Sequence, residues 1–107
     1  LPEDQKLVIE VAKVIRVGFL QQNAYHDIDT YVNLPKQFSM MKVILRLYDG
    51  ALSLLEKGIP LSQLRATGIF ETVGRIKYEV PNDKLEMFDD YKKAVDTFYD
   101  KVLEKNG

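Results

Sequence analysis

Phe38, Met41, Leu45, Tyr48, Leu52 and Leu55 succeed one another at alternating intervals of three and four residues. That spacing commits the middle of the chain to an α-helix, because only a repeat near 3.6 residues aligns such positions on one face. A second stripe, Met40, Ile44, Leu47, Ala51 and Leu54, runs beside the first. A helix apolar over so much of its circumference is expected at the centre of a domain, packed on two sides. Its ends are marked as well. Asn33 suits the N-cap, Pro35 the first turn, and Gly58 with Pro60 the exit.

The other segments repeat the helical pattern. Leu7, Val11, Val14, Ile15, Gly18 and Phe19 mark one face of a helix from about Glu3 to Leu20, with acidic Glu3 and Asp4 in its first turn. Short helices are expected from Leu61 to Ala66 and, after Gly68, from Ile69 to Tyr78, with Val80-Pro81 as the stop. Asp83 and Glu86 have the spacing of an acidic capping box ahead of a last helix reaching about Lys105. Its stripe is Leu85, Phe88, Tyr91, Val95, Phe98 and Val102. The exception lies between Gln21 and Leu34, where Asn23, His26, Asp27, Asp29, Thr30 and Asn33 favour turns. Connections in compact domains usually run ~4–6 residues, so this stretch is long enough to have a use. The expected fold is all-α: a bundle of about four main helices with one long irregular loop after the first, residues 1–107 forming one domain.

Composition narrows the chemistry. With 107 residues there is room for one core. Fifteen basic residues against 16 acidic ones give no footprint for nucleic acid or for an anionic membrane surface. No run approaches the ~18 apolar residues of a membrane span, so direct membrane insertion is not expected. Absence of cysteine excludes a disulfide framework, a thiolate zinc site and a cysteine nucleophile. Gly68 and Gly74, followed by Arg75-Ile76, do not make a phosphate loop, which needs Gly-x4-Gly-Lys-Ser/Thr so that backbone amides wrap the phosphates. His26, Asp27 and Asp29 sit close enough to be read as metal ligands, and a hydrolase using His26 and Asp29 would follow. Polar turn chemistry explains the same residues, and no metal site is expected. Ser39, Ser53 and Ser62 have no histidine near them in sequence, so no catalytic residue is assigned. Read this far, the chain is a helical interaction module, and a stand-alone scaffold would bind a partner through the second stripe of the central helix.

One run of residues is more specific. Ile15-Arg16-Val17-Gly18-Phe19-Leu20-Gln21-Gln22-Asn23-Ala24-Tyr25, followed by Asp27-Ile28-Asp29-Thr30-Tyr31, resembles the C-terminal region of the catalytic A subunit of archaeal- and vacuolar-type rotary ATPases. The pattern there is Ile-Arg-x-x-[Phe/Tyr]-Leu-Gln-Gln-Asn-Ala-Phe with Asp-Thr-[Tyr/Phe] a few residues on. The likeness continues through Lys36-Gln37-Phe38, Met41 to Leu45, Ala51-Leu52, Leu55 to Gly58, and Arg75-x-Lys77-Tyr78 with the proline after it. It covers about Leu1 to Pro81, and the last helix fits by position only.

The resemblance implies a helical domain at the end of a larger subunit, with the nucleotide-binding domain upstream, and a chain that does not open on methionine fits such an excised part. The phosphate-binding lysine, the magnesium-binding residues and the water-activating glutamate of that family lie upstream, so the fragment alone is expected to be inactive and to hold no ATP, ADP or magnesium. It also implies that Tyr25 contacts adenine while Gln22, Asn23 and Ala24 shape the pocket edge, an aromatic ring covering a purine face at small entropic cost. Glu3 and Asp4 would face the central rotor. Implied partners are the nucleotide-binding domain of the same subunit, the non-catalytic B subunits and the central stalk, with the assembly cytoplasmic and peripheral on a membrane. Three positions depart from the family pattern: Tyr25 for phenylalanine, Val17 for an acidic residue, and Phe70 for an arginine.

Overall fold

The computed structural model describes residues 1–20 and 32–107, the side chains of residues 19 and 20 excepted. Every regular element among the described residues is helical. Helix α1 spans Glu3–Ile15 and runs on as a π turn, Arg16–Leu20. Helix α2 spans Leu34–Glu56, α3 Leu61–Ala66, α4 Ile69–Gly74 and α5 Ile76–Glu79. A 3-10 turn, Leu85–Met87, leads into α6, Phe88–Asn106. The all-α bundle expected from the apolar spacing is the observed architecture.

Helix α2 has both of its expected stops. The Asn33 side chain accepts from the Lys36 amide at 2.9 Å, satisfying one of the free donors at the helix start, and Pro35 occupies the first turn. At the other end Gly58 adopts φ +88. Its amide donates to Leu55 and that of Ile59 donates to Leu54, the paired bonds of a Schellman motif. Ile59 is buried where the motif places its apolar contact.

The core forms where α2 lies between α1 and α6. Met40, Val43, Ile44, Leu47, Ala51 and Leu54 of α2 meet Leu7, Val11 and Val14 of α1, and Tyr91, Val95, Phe98 and Val102 of α6, in one buried cluster. Ile69, Phe70, Val73 and Ile76 close it from α4 and α5. Each fully buried aliphatic side chain here contributes roughly 1.5–3 kcal/mol of transfer free energy.

Four expectations need correction. The stripe proposed as a scaffold's docking face is the core itself, since Met40, Ile44, Leu47, Ala51 and Leu54 are all at most 3% exposed. The first stripe is only half covered: Tyr48, Leu52 and Leu55 pack against the core, while Phe38 is 69% and Leu45 54% exposed. The helix expected over residues 69–78 breaks at Arg75 (φ −93, ψ −1), where one turn ends and the next begins with Arg75 as its first acceptor. No capping box forms at Asp83 and Glu86. The Lys84 amide is held by the Pro81 carbonyl and the 3-10 turn delays the helix to Phe88, so Asp89 and Asp90 are the acids at its start.

Candidate functional site

Residues 22–25, which carry the adenine assignment, lie outside the described residues, as do His26, Asp27 and Asp29. The structure does describe how the two ends of that stretch are held. On the N-terminal side, α1 passes into the π turn, a geometry found mostly as single turns at functional positions. Gly18 sits in this turn with its Cα face against the backbone of Gly74. A Cβ built on Gly18 would fall on the Gly74 carbonyl oxygen and 2.9 Å from both its carbonyl carbon and its Cα. Two backbones touch there with no side chain between them, and only glycine allows it.

On the C-terminal side the anchor is a lysine. Lys36, in the first turn of α2, is 4% exposed, and its Nζ donates to the Lys77 carbonyl oxygen at 2.8 Å. Burial, reinforced by the neighbouring Lys77 ammonium, pushes the Lys36 pKa below its ordinary value. Lys77 is itself buried, with its Nζ 5.8 Å from the centroid of the Tyr78 ring. Gln37 Nε2 adds a bond to the Val32 carbonyl at 2.8 Å. Both roots of the stretch therefore rest on one short segment, Gly74 to Lys77.

That segment is pinned from a third direction. Tyr91 of α6 donates its hydroxyl to Glu79 Oε2, and Arg75 Nε donates to Glu79 Oε1 at 3.0 Å. Burial first, then the Glu79 carboxylate, hold the Tyr91 phenol well above the usual range. Beside this corner opens a cleft of about 320 Å³ floored by Val14, Val17, Phe70 and Gly74, with Glu10, Lys13, Glu71 and Arg75 around it. Val17 and Phe70, two of the three departures from the family pattern, thus line the same cleft. An apolar residue at each makes a wall with no ion pair to form.

Glu3 and Asp4 are exposed at the start of α1. Neither caps the helix: Pro2 holds the N-cap position, its carbonyl accepting from the Gln5 and Lys6 amides at 3.1 Å. Asp4 Oδ1 accepts from the Gln5 amide at 2.9 Å. Their charge is presented outward at the end of α1 away from the π turn.

Among the described residues no group of three or more histidines and carboxylates could hold a metal ion, and no helix is long and apolar enough to cross a membrane. The two anchors were missed by sequence reasoning, although signals existed. Gly18 holds a position on the apolar stripe with no side chain to bury, and Lys36 places a cation in a first turn, where the helix dipole favours an anion.

The family described as "C-terminal domain of V and A type ATP synthase" matches residues 1–65. The chain is 42% identical over 105 residues to V-type ATP synthase alpha chain 2 of Clostridium tetani, a match covering 98% of this chain and 18% of that protein. It is 36% identical over 104 residues to the V-type ATP synthase alpha chain of Halothermothrix orenii, covering 97% of this chain and 18% of the relative. Against the A subunit of the A-type ATP synthase of Methanopyrus kandleri the identity is 35% over 106 residues, again 98% of this chain and 18% of that protein. The chain therefore spans less than a fifth of the length of these curated relatives. Its helical fold and its match over more than half its length place it in the family of C-terminal domains of V and A type ATP synthases.

Proposed function

We propose that this chain is the C-terminal helical domain of the catalytic A subunit of a rotary ATP synthase or ATPase, with the nucleotide-binding domain upstream. In the intact subunit it forms the adenine-side wall of the catalytic nucleotide site and couples closure of that site to the central rotor. Tyr25 stacks on adenine, and Gln22, Asn23 and Ala24 shape the pocket edge. Glu3 and Asp4 face the central stalk. The B subunits and the nucleotide-binding domain are the other partners, and the assembly works in the cytoplasm, peripheral on its membrane.

The observation that carries this reading is the shared footing of residues 21–31. Gly18 against Gly74 and Lys36 on Lys77 bring the described residues on either side of that stretch to one corner. A binding loop positioned by a rigid scaffold is the usual way a fold presents a ligand contact. The sequence has no phosphate loop, so on this reading the chain serves the base end of the nucleotide site and the upstream domain its phosphate end. Magnesium and ATP would be held by the upstream domain, where the metal neutralises charge on the transferring phosphoryl group. The isolated chain is accordingly inactive.

The test is Tyr25→Ala in the intact assembly. Base stacking is mostly uniform binding, so the substitution raises the KM for ATP more than it lowers turnover. By analogy with base stacking on aromatics, the loss is ~1–3 kcal/mol, or roughly five- to 150-fold in KM. An unchanged KM would remove the adenine assignment.

A further inference from the structure

The half-covered stripe of α2 has a property that burial alone does not explain. Leu34, Phe38, Met41, Leu45, Tyr48, Leu52 and Leu55 are separated by four, three, four, three, four and three residues. This is an unbroken a/d heptad seam along the whole 23-residue helix, the pattern that receives a second helix at a shallow crossing angle. Its C-terminal half, Tyr48 to Leu55, already packs against the domain core. In its N-terminal half Met41 is half-buried, while Leu34 and Phe38 are each 69% and Leu45 54% exposed. Large apolar side chains at successive seam positions form a contiguous face, unlike apolar residues scattered singly on a surface.

Helix α1 shows the same defect. Val8 is 51% and Ile9 56% exposed, and Leu1 before them is 75% exposed. Both helices bury one stripe in the shared core and leave other large apolar residues uncovered. We infer that the α2 seam is the seat of an amphipathic helix from the part of the same subunit that precedes this domain. About four-fifths of each relative lies outside the matched stretch, and on the subunit reading proposed above that remainder precedes this domain. Consecutive helices usually pack beside one another, which delivers such a helix first to α1 and then to α2, on which α1 packs. The seam is also continuous with the existing core, so the added helix extends that core rather than founding a new one.

The flank of the seam indicates the partner's polar chemistry. Lys42, Asp49 and Glu56 recur every seven residues along its solvent side. The occupying helix carries an acid opposite Lys42 and bases opposite Asp49 and Glu56. A mixed flank of this kind does not suit an anionic lipid surface, which needs a basic face. The identity of the occupant rests on the subunit reading proposed above. The uncovered seam does not.

The experiment measures alkylation of Phe38→Cys and Leu45→Cys by iodoacetamide, in the 107-residue chain and in the full-length subunit, with Asp89→Cys on the exposed start of α6 as control. The expected result is modification of both seam positions at least ~tenfold slower in the full-length subunit, at any protein concentration, with the control unchanged. Hydroxyl-radical footprinting of native Phe38 and Leu45 reads the same protection without substitution, should a variant fold poorly. Equal rates in the chain and the subunit overturn the inference. So does protection that appears only as the 107-residue chain is concentrated, which makes the occupant a second copy, or only when other subunits are added. A Tyr25→Ala variant with raised KM alongside an unprotected seam would refute the docking while leaving the subunit reading intact.

Discussion

Gly18→Ala tests the contact on which the proposed site rests. In a helical turn the substitution should help, because alanine is favoured over glycine by about 1 kcal/mol. The structure opposes that gain. The new methyl group would meet the Gly74 carbonyl group and lie 2.9 Å from its carbon and Cα, while ordinary contact begins near 3.4 Å. What must give way is backbone, so α4 and the π turn have to part by about half an ångström at the carbon and Cα and by roughly 1 Å at the carbonyl oxygen. Overpacking of this sort costs typically 1–3 kcal/mol, and a rigid neighbour puts it at the upper end. The net loss is about 2 kcal/mol. With urea slopes of ~1–3 kcal/mol/M for small domains, the midpoint should fall by roughly 1 M, with an unchanged slope, in denaturation followed by far-UV circular dichroism. Gly50→Ala is the internal comparison: its Cβ would stand 3.5 Å from Tyr99 Cδ2, an ordinary contact, so the propensity gain survives and the midpoint rises slightly. A Gly18→Ala midpoint at or above that of the parent chain would refute the close approach, and with it the N-terminal footing of residues 21–31.

Two further substitutions address the polar anchors. Lys36 titrates below 10.5 in the folded chain, so the unfolded state takes up a proton first as pH falls, and the parent chain loses stability on descending from 10.5 to the folded pKa. The Lys36→Met variant lacks that slope, so across this window the urea midpoint of the parent should rise with pH relative to that of the variant; parallel profiles would show the ammonium to be solvated. Asp96 accepts both arms of the Arg46 guanidinium at 2.8 Å, and that hydrogen-bonded cation holds its carboxyl below 3.8. Its contribution is present above 3.8 and disappears as pH falls through the folded pKa; because both side chains are half exposed, the difference between parent and Asp96→Asn should also shrink in about 1 M salt, where the screening length is ~3 Å, and a salt-independent difference would contradict a surface pair.

Much of this architecture is local enough to read from residue spacing. Asn33, Pro35, Gly58 and Pro60 bracket α2 because caps and stops act within a turn of the residue that makes them. The π turn and the break at Arg75 have no such local signature. Each exists to satisfy the other: Gly18 must face Gly74 across 56 positions of sequence, and no window of a few turns contains both. Spacing showed two apolar stripes on α2 and could not rank them, since the choice depends on where α1 and α6 lie. The adenine assignment rests only on the Gln22-Asn23-Ala24-Tyr25 string and its family resemblance, because turn chemistry alone does not identify a base contact.

The proposed coupling has a definite mechanical form. Helix α1 is 13 residues long, a rod of about 20 Å, with Glu3 and Asp4 at one end and the π turn at the other. Its buried face, Leu7, Val11 and Val14, is set into the same cluster as α2, and close-packed side chains resist shear, so α1 moves with the bundle or not at all. On the proposed reading, a displacement arriving at its exposed end reaches the π turn as rigid-body motion. Where it arrives, Gly18 meets Gly74 directly, and a backbone contact lacks the rotamer freedom by which a side chain would absorb a shift. At the other root the Lys36 ammonium can swing on its flexible stem, but only by abandoning the Lys77 carbonyl in a site where burial already disfavours the charge. The described residues on either side of residues 21–31 thus meet the Gly74 to Lys77 corner through one backbone contact and one strongly directional bond. On the proposed reading it is movement of this corner relative to the upstream domain that opens and closes the adenine wall.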